Sequence, residues 1–409
     1  MTFDSVWQFN EAVSGHYMDH HPPLMAWTWS FVNRVVPGPL GMLLLHVAMM
    51  WSALLLIADG AARRGIRHAW IVIAIGFLPP VIGIEGEIWK DVGMAAALLF
   101  ATALVYRASA GRERIGAIVA ALALVPLFYA TAVRANAPAA VAPILVYWAR
   151  CAFPRTSWRA SVLTGATALA LLLGIQWIVD NKVIEARHAY VSQYLAAHDL
   201  VALRCGGAHV SIPAKLERVT PGTRPLCEMF DPLVLDFLFV GNTAPLMASS
   251  DPEVVRALWH EWRRAILANP LRYVAHRARM FNALLGFGVD DARRFYWLPE
   301  SIPNSHGFTF VPNAFTHVIG SGVVVAHALG LYNGALWLAI ACFVLVVVGV
   351  RTRRDERSDA VAIALAVSAL AYTLPYFLVA PSVDYRYLYW TVIASALAAV
   401  LTLLRPLSR

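Results

Sequence analysis

Nine apolar runs, each about 15 to 22 residues long, constrain this chain more than any other feature. They fall near residues 38–59, 69–84, 91–107, 116–133, 137–150, 160–180, 332–350, 359–380 and 387–404. A helix of that length matches the hydrocarbon core of a bilayer. Inside lipid the backbone must satisfy its own hydrogen bonds, which leaves helices or closed barrels. The expected fold is therefore all-α and polytopic, with about nine transmembrane helices. The second and fifth runs are short for a straight crossing and are expected to be tilted, broken or partly inserted. Only 14% of the residues are charged, against roughly a quarter in soluble proteins.

Basic residues give the orientation. One set of loops holds Arg63, Arg64 and Arg67; Arg107, Arg112 and Arg114; Arg150, Arg155 and Arg159; Arg351, Arg353, Arg354 and Arg357; and Arg405 and Arg409. The alternate short loops hold only Lys90, Arg134 and Arg386. The first set is read as cytoplasmic. The net charge of +8 is largely this topology signal, so no nucleic-acid partner is expected. Met1 is then placed outside the cytoplasm, and residues 1–23 are too polar for a signal peptide. Two readings stay open. One is a further helix upstream of Met1, which restores an even count and is favoured. The other is translocation of the tail by the helix that follows.

Four regions follow. Residues 1–37 form an external loop, in which Pro22-Pro23 opens a short amphipathic helix. Leu24, Trp27, Trp29, Phe31 and Val35 make it amphipathic, with the tryptophans expected at headgroup level. Residues 38–180 are a transmembrane helical core. Residues 181–331 are a long, mixed extracytoplasmic segment, and residues 332–409 return to the membrane. In the long segment, Ser250-Asp251-Pro252-Glu253 reads as a helix start, with a helix to about Ala268. Asn269-Pro270 breaks it, and a second helix runs to about Leu285. Cys205 and Cys227 share this segment, where a disulfide can form. Cys151 and Cys342 are expected to be plain thiols.

Polar residues gather at the outer face. The first loop brings Asp4, His16, Asp19, His20 and His21; the second brings Glu85, Glu87, Lys90 and Asp91. The third brings Arg134 and Asn136, and the last Asp384, Tyr385, Arg386 and Tyr387. Ionisable groups at membrane depth are costly unless paired or functional. An acid can act as general base toward a hydroxyl, and arginines can grip a phosphate. Plainer roles stand beside these. Asp4 fits a solvated loop or a helix N-cap, and Glu87, Lys90 and Asp91 fit a helix-start charge set. Arg134 and Arg386 fit snorkelling anchors. Asp19, His20 and His21 are adjacent, a poor spacing for one metal ion.

The run Phe3-Asp4 … Asp19-His20-His21-Pro22-Pro23-Leu24 resembles the first external loop of protein O-mannosyltransferases, where an Asp-Glu pair precedes a His-Pro-Pro-Leu turn. More broadly the chain looks like the GT-C superfamily of polyprenyl-phosphate-sugar-dependent glycosyltransferases, which includes bacterial aminoarabinose transferases. Lys90-Asp91, Val133-Arg134-Ala135-Asn136 and Asp384-Tyr385-Arg386-Tyr387 look similar as well. The likeness covers about residues 1–150 and the last helix. It departs at Ser5, where the second carboxylate is absent, and in the first helix.

The resemblance implies an inverting transfer from a polyprenyl-phosphate sugar to a lipid, glycan or protein acceptor at the bacterial plasma membrane. Asp4 and Asp91 would be catalytic. His20, His21, Glu87, Lys90, Arg134, Asp384, Tyr385 and Arg386 would bind substrate. It implies no firm cofactor, and a divalent metal stays open because metal use varies in the family. Two other readings are an O-antigen polymerase or ligase, and a transporter or flippase of lipid-linked sugars. The first usually relies on arginines in the large external loop. The second expects charges near the bilayer midplane and inverted repeats.

Overall fold

The computed structural model describes residues 1–218, 222–288, 299–350 and 356–404. Arg351, Arg353, Arg354, Arg405 and Arg409 of the basic loops lie outside the described residues. The described chain is helical, and its only β pairings are two isolated bridges, Met18 with Arg187 and Glu217 with Leu246.

Residues 1–37 are more than a loop. Helix α1 (Phe3–Ser14) ends on Gly15, whose φ of 71° is left-handed and suits a residue without Cβ. Helix α2 (Leu24–Val35) follows Pro22-Pro23 as expected. Its Trp29 corrects the interfacial reading. The ring is fully buried and donates to the Gly38 carbonyl at 3.2 Å, while Phe31 and Val35 are exposed.

The bundle begins with α3 (Leu40–Ala62). The second apolar run is broken into α4 (Ile71–Ala74), a 3-10 turn at Ile75–Phe77, and α5 (Pro79–Glu85). Pro79 and Pro80 supply no backbone N–H to continue a helix. Gly76 lies against Trp51, where a Cβ would come within 2.8 Å of the ring. Next come α6 (Lys90–Ala108), α7 (Ala117–Val133), α8 (Ala137–Ala152) and α9 (Trp158–Ile178). Helix α6 is apolar all round and buried on nearly every side, as a central helix must be. Gly93 and Ala95–Ala97 let α3 and α7 come close. Helix α9 instead turns Leu163, Leu171, Ile175 and Trp177 outward, a lipid-facing pattern.

Outside the bundle, α10 (Ser192–Cys205), α11 (Leu226–Met229), α12 (Asp236–Phe239), α13 (Pro252–Ala268) and α14 (Pro270–Leu285) enclose a second core around Leu200, Leu216, Leu238 and Leu258. Asp251 caps α13 by accepting from Glu253 N at 2.9 Å, and α14 restarts at Pro270. The chain returns through α15 (Ala314–Ala328), which packs on α5, then α16 (Gly334–Val350), α17 (Glu356–Thr373), α18 (Tyr376–Val379) and α19 (Tyr389–Leu403).

Five helical stretches are long and apolar enough to cross a membrane: Leu40–Ala62, Lys90–Ala108, Trp158–Val183, Asp359–Val379 and Tyr385–Leu403. The protein is a helical membrane protein. Of the nine expected crossings, α7, α8 and α16 are shorter apolar helices. At 1.5 Å per residue they reach only about 25 Å. Pro126 and Pro143 lie inside two of them.

Cys205 and Cys227 form a disulfide with Cα atoms 5.5 Å apart, tying α10 to α11. Both thiols are expected to resist a maleimide until reduced, and reduction should destabilise this unit by about 3 kcal/mol for a loop of that length. Labelling without reductant would overturn the pairing.

Candidate active site at one end of the bundle

The ends of α1, α5–α8 and α19 converge on one face, and each places a polar side chain there. Asp4 occupies the first turn of α1, two residues past the N-cap position at Thr2, so it is no cap. Ser5 Oγ donates to the Ile88 carbonyl at 3.1 Å and Trp89 Nε1 to Thr2 Oγ1 at 2.7 Å, which fixes α1 against the turn before α6. Arg386 sits in a 3-10 turn, Tyr385–Leu388, just ahead of α19. That turn is started by Asp384, which accepts from Arg386 N at 3.1 Å.

Two ion-pair groups form. In the first, Arg386 Nη1 meets Asp4 Oδ2 at 2.5 Å and Arg386 Nε meets Asp384 Oδ2 at 2.7 Å. The guanidinium lies 5.0 Å from the Trp89 ring. Asp4 also faces His21, with Nε2 at 3.8 Å, and the other nitrogen of that ring is 2.7 Å from Lys90 Nζ. An ammonium donating to Nδ1 leaves the proton on Nε2, turned toward Asp4. In the second group, Arg134 Nη1 meets Asp91 Oδ1 at 2.5 Å. Its Nε donates to Asn136 Oδ1 at 2.9 Å and its Nη2 to the Tyr376 hydroxyl at 2.8 Å. The Tyr387 ring separates the groups, 5.0 Å from Arg134 and 5.7 Å from Arg386.

Exposure divides the labour. The Asp4 and Arg386 side chains are 19% and 18% exposed, whereas Arg134 and Asp91 are 8% and 1%. Every arm of Arg134 is engaged, so it clamps α6, α7 and α18 together rather than meeting a ligand. Arg134→Gln strands a buried Asp91 carboxylate and should cost about 3–5 kcal/mol, read as earlier thermal unfolding in detergent. A contact residue for phosphate would instead lose turnover with melting unchanged.

Outside the membrane-spanning helices the titrating groups follow the same geometry. Burial pushes the Asp4 carboxyl up, but Arg386, His21 and Lys90 outweigh it and hold it well below the usual carboxylate range. Burial, and then Lys90, keep His21 well below its ordinary value and neutral. Glu87 is pushed up to about 7, chiefly by burial. Three cations, Lys90, Arg134 and Arg386, thus face three carboxylates, Asp4, Asp91 and Asp384.

The remaining expected residues divide. His20 stacks on Trp7 at 5.3 Å beside His21. Glu87 lies within the field of Arg386. Tyr385 turns away, donating to the Leu331 carbonyl at 3.4 Å and packing on Tyr332. Asp19 bonds His188 at 2.8 Å and the Ala189 amide at 2.5 Å, so the Asp19-His20-His21 run diverges. Among the described residues no group of three or more His, Cys, Asp or Glu side chains is placed to hold a metal.

Sequence reasoning missed Asp236 and Tyr376. Asp236, in the outer unit, is pushed up by loss of solvent and by the Asp4 carboxylate, with Arg386 opposing. Neither residue sits in a recognisable pattern. No protein-family model, curated protein or solved structure matches this chain.

Proposed function

We propose that this protein is a membrane glycosyltransferase. It moves a sugar from a polyprenyl-phosphate donor to an acceptor hydroxyl on the extracytoplasmic side of a bacterial plasma membrane. One observation carries the reading. A carboxylate and a guanidinium 382 residues apart in sequence, Asp4 and Arg386, meet at the end of an apolar bundle, still partly open to solvent. Arg63, Arg64, Arg107, Arg150 and Arg155 lie at the opposite end, which supports an outward-facing site.

In this mechanism Asp4 accepts the proton of the acceptor hydroxyl as its oxygen bonds to the anomeric carbon. The bond from that carbon to the phosphate oxygen breaks, and its electron pair leaves with the polyprenyl phosphate. Direct displacement inverts the anomeric centre. Arg386 meets the growing negative charge, with Lys90 as a second cation close to Asp4. Neutral His21 turns its Nε2–H toward the second oxygen of Asp4, at 3.8 Å. Asp91 acts through Arg134 as a positioning residue.

The test uses proteoliposomes loaded with lipid-linked sugars extracted from source membranes and mass spectrometry of the lipid products. Release of polyprenyl monophosphate is the expected result. Release of diphosphate instead points to polymerase or ligase chemistry, and movement across the bilayer without cleavage points to a transporter. Either result, or an unchanged lipid pool, refutes the proposal.

A further inference from the structure

Helix α12 is tied on two sides to the segments that carry Asp4 and Arg386. On the Arg386 side, Val383 N donates to the Leu233 carbonyl at 2.8 Å and Leu235 N to Ser382 Oγ at 2.9 Å. Asp236 therefore follows directly on a stretch pinned beside Asp384. On the Asp4 side, Trp7 stands one helical turn along α1 and stacks on His20 at 5.3 Å. His20 meets Tyr194 edge-on at 5.6 Å, and Tyr194 meets Phe239 edge-on at 4.7 Å. These four rings make a continuous wall from α1 to the far end of α12. Leu238, fully buried in the outer core, sets the rotation of α12 and leaves Asp236 at the surface. Among the described residues the Asp236 carboxylate has no hydrogen-bond or ion-pair partner.

We propose that α12 and this aromatic wall form the acceptor subsite and that the acceptor is a carbohydrate. The inference rests on the transferase reading. A sugar ring has a flat apolar C–H face and a rim of hydroxyls. Aromatic rings suit the first, and a free carboxylate, which can only accept, suits the second. A peptide acceptor offers a single side-chain hydroxyl and no flat ring of C–H groups to lie on the wall. A lipid acceptor without a sugar head group offers neither the ring face for the wall nor the rim of hydroxyls for Asp236. Asp236 takes a hydroxyl neighbouring the one that Asp4 deprotonates, and the wall fixes which face of the sugar lies down.

Saturation-transfer NMR on the protein in nanodiscs tests this, with oligosaccharides released by mild acid from the source-cell envelope as the probe. Saturation should reach ring C–H protons of a bound glycan for the wild type and for Asp4→Asn. The double variant Tyr194→Ala/Phe239→Ala should weaken binding at least tenfold. Asp236→Asn, at an exposed position where folding is not at stake, should weaken it several-fold. Unchanged binding in both variants overturns the subsite, as does the absence of saturation transfer to any envelope oligosaccharide. The two readings fail separately. Glycan binding that depends on Asp236, without consumption of lipid-linked sugar, refutes the transferase and keeps the subsite. Donor consumption with an acceptor KM untouched by either variant refutes the subsite alone.

Discussion

Asp4→Asn is expected to lower sugar transfer by about 10²- to 10⁴-fold, the usual contribution of a positioned general base, with the protein still folded in the membrane. The amide keeps the shape of the side chain but cannot take the proton. Folding should survive because Arg386 keeps Asp384 as a partner at 2.7 Å. The pH profile adds a second readout. In the free protein Arg386, His21 and Lys90 hold the Asp4 carboxyl low against its burial, so Asp4 stays ionised well into acid. The acid limb of kcat/KM, which reports the free protein, should then lie below the ordinary carboxylate value of about 4. Once a donor phosphate draws Arg386 away, Asp4 becomes the stronger base and the acid limb of kcat should move up. Near-normal transfer by the purified Asn variant removes Asp4 from the chemistry, and coincident limbs remove the idea that the donor releases it.

That coupling arises from a charge balance that single loops do not reveal. Much of the helical pattern was legible in the sequence. Hydropathy located α3, α6, α9, α17 and α19, the shortness of the second run pointed to a tilted, broken or partly inserted segment, and Asp251-Pro252 and Asn269-Pro270 bounded α13 and α14. Collecting polar residues by topology assembled Asp4, Lys90, Asp91, Arg134, Asp384 and Arg386 at one face. Their pairing was not legible. Arg134 and Arg386 look alike in sequence, each a lone arginine beside a helix end. Only tertiary packing spends every arm of Arg134 on Asp91, Asn136 and Tyr376 while leaving Arg386 at the rim. Tyr385 fails for a local reason: a 3-10 turn separates neighbouring side chains by about a third of a turn, so Tyr385 and Arg386 face apart. Asp236 was invisible because its place depends on the hydrogen bonds of Leu233 and Leu235 to a loop about 150 residues away.

Arg386→Lys should be nearly as damaging as Arg386→Ala, each lowering turnover by about 10²- to 10³-fold, the scale for loss of one donor to developing charge. The guanidinium already uses two arms at once, Nη1 toward Asp4 and Nε toward Asp384, and lies against the Trp89 ring. A lysine brings one compact ammonium in place of a planar fork. It can stay with Asp384 or reach Asp4, but it cannot hold the loop before α19 and a phosphate together. An arginine that only snorkels gives the opposite result, since lysine snorkels equally well and activity would persist. The two variants also separate binding from chemistry. Loss of kcat with donor affinity preserved places the contact in the transition state, and a raised donor KM with kcat preserved places it in the ground state. Lys90, 2.7 Å from His21 and close to Asp4, is the next cation in reach. If Arg386→Lys keeps full activity, the phosphate contact passes to Lys90, because Arg134 has no arm left to offer.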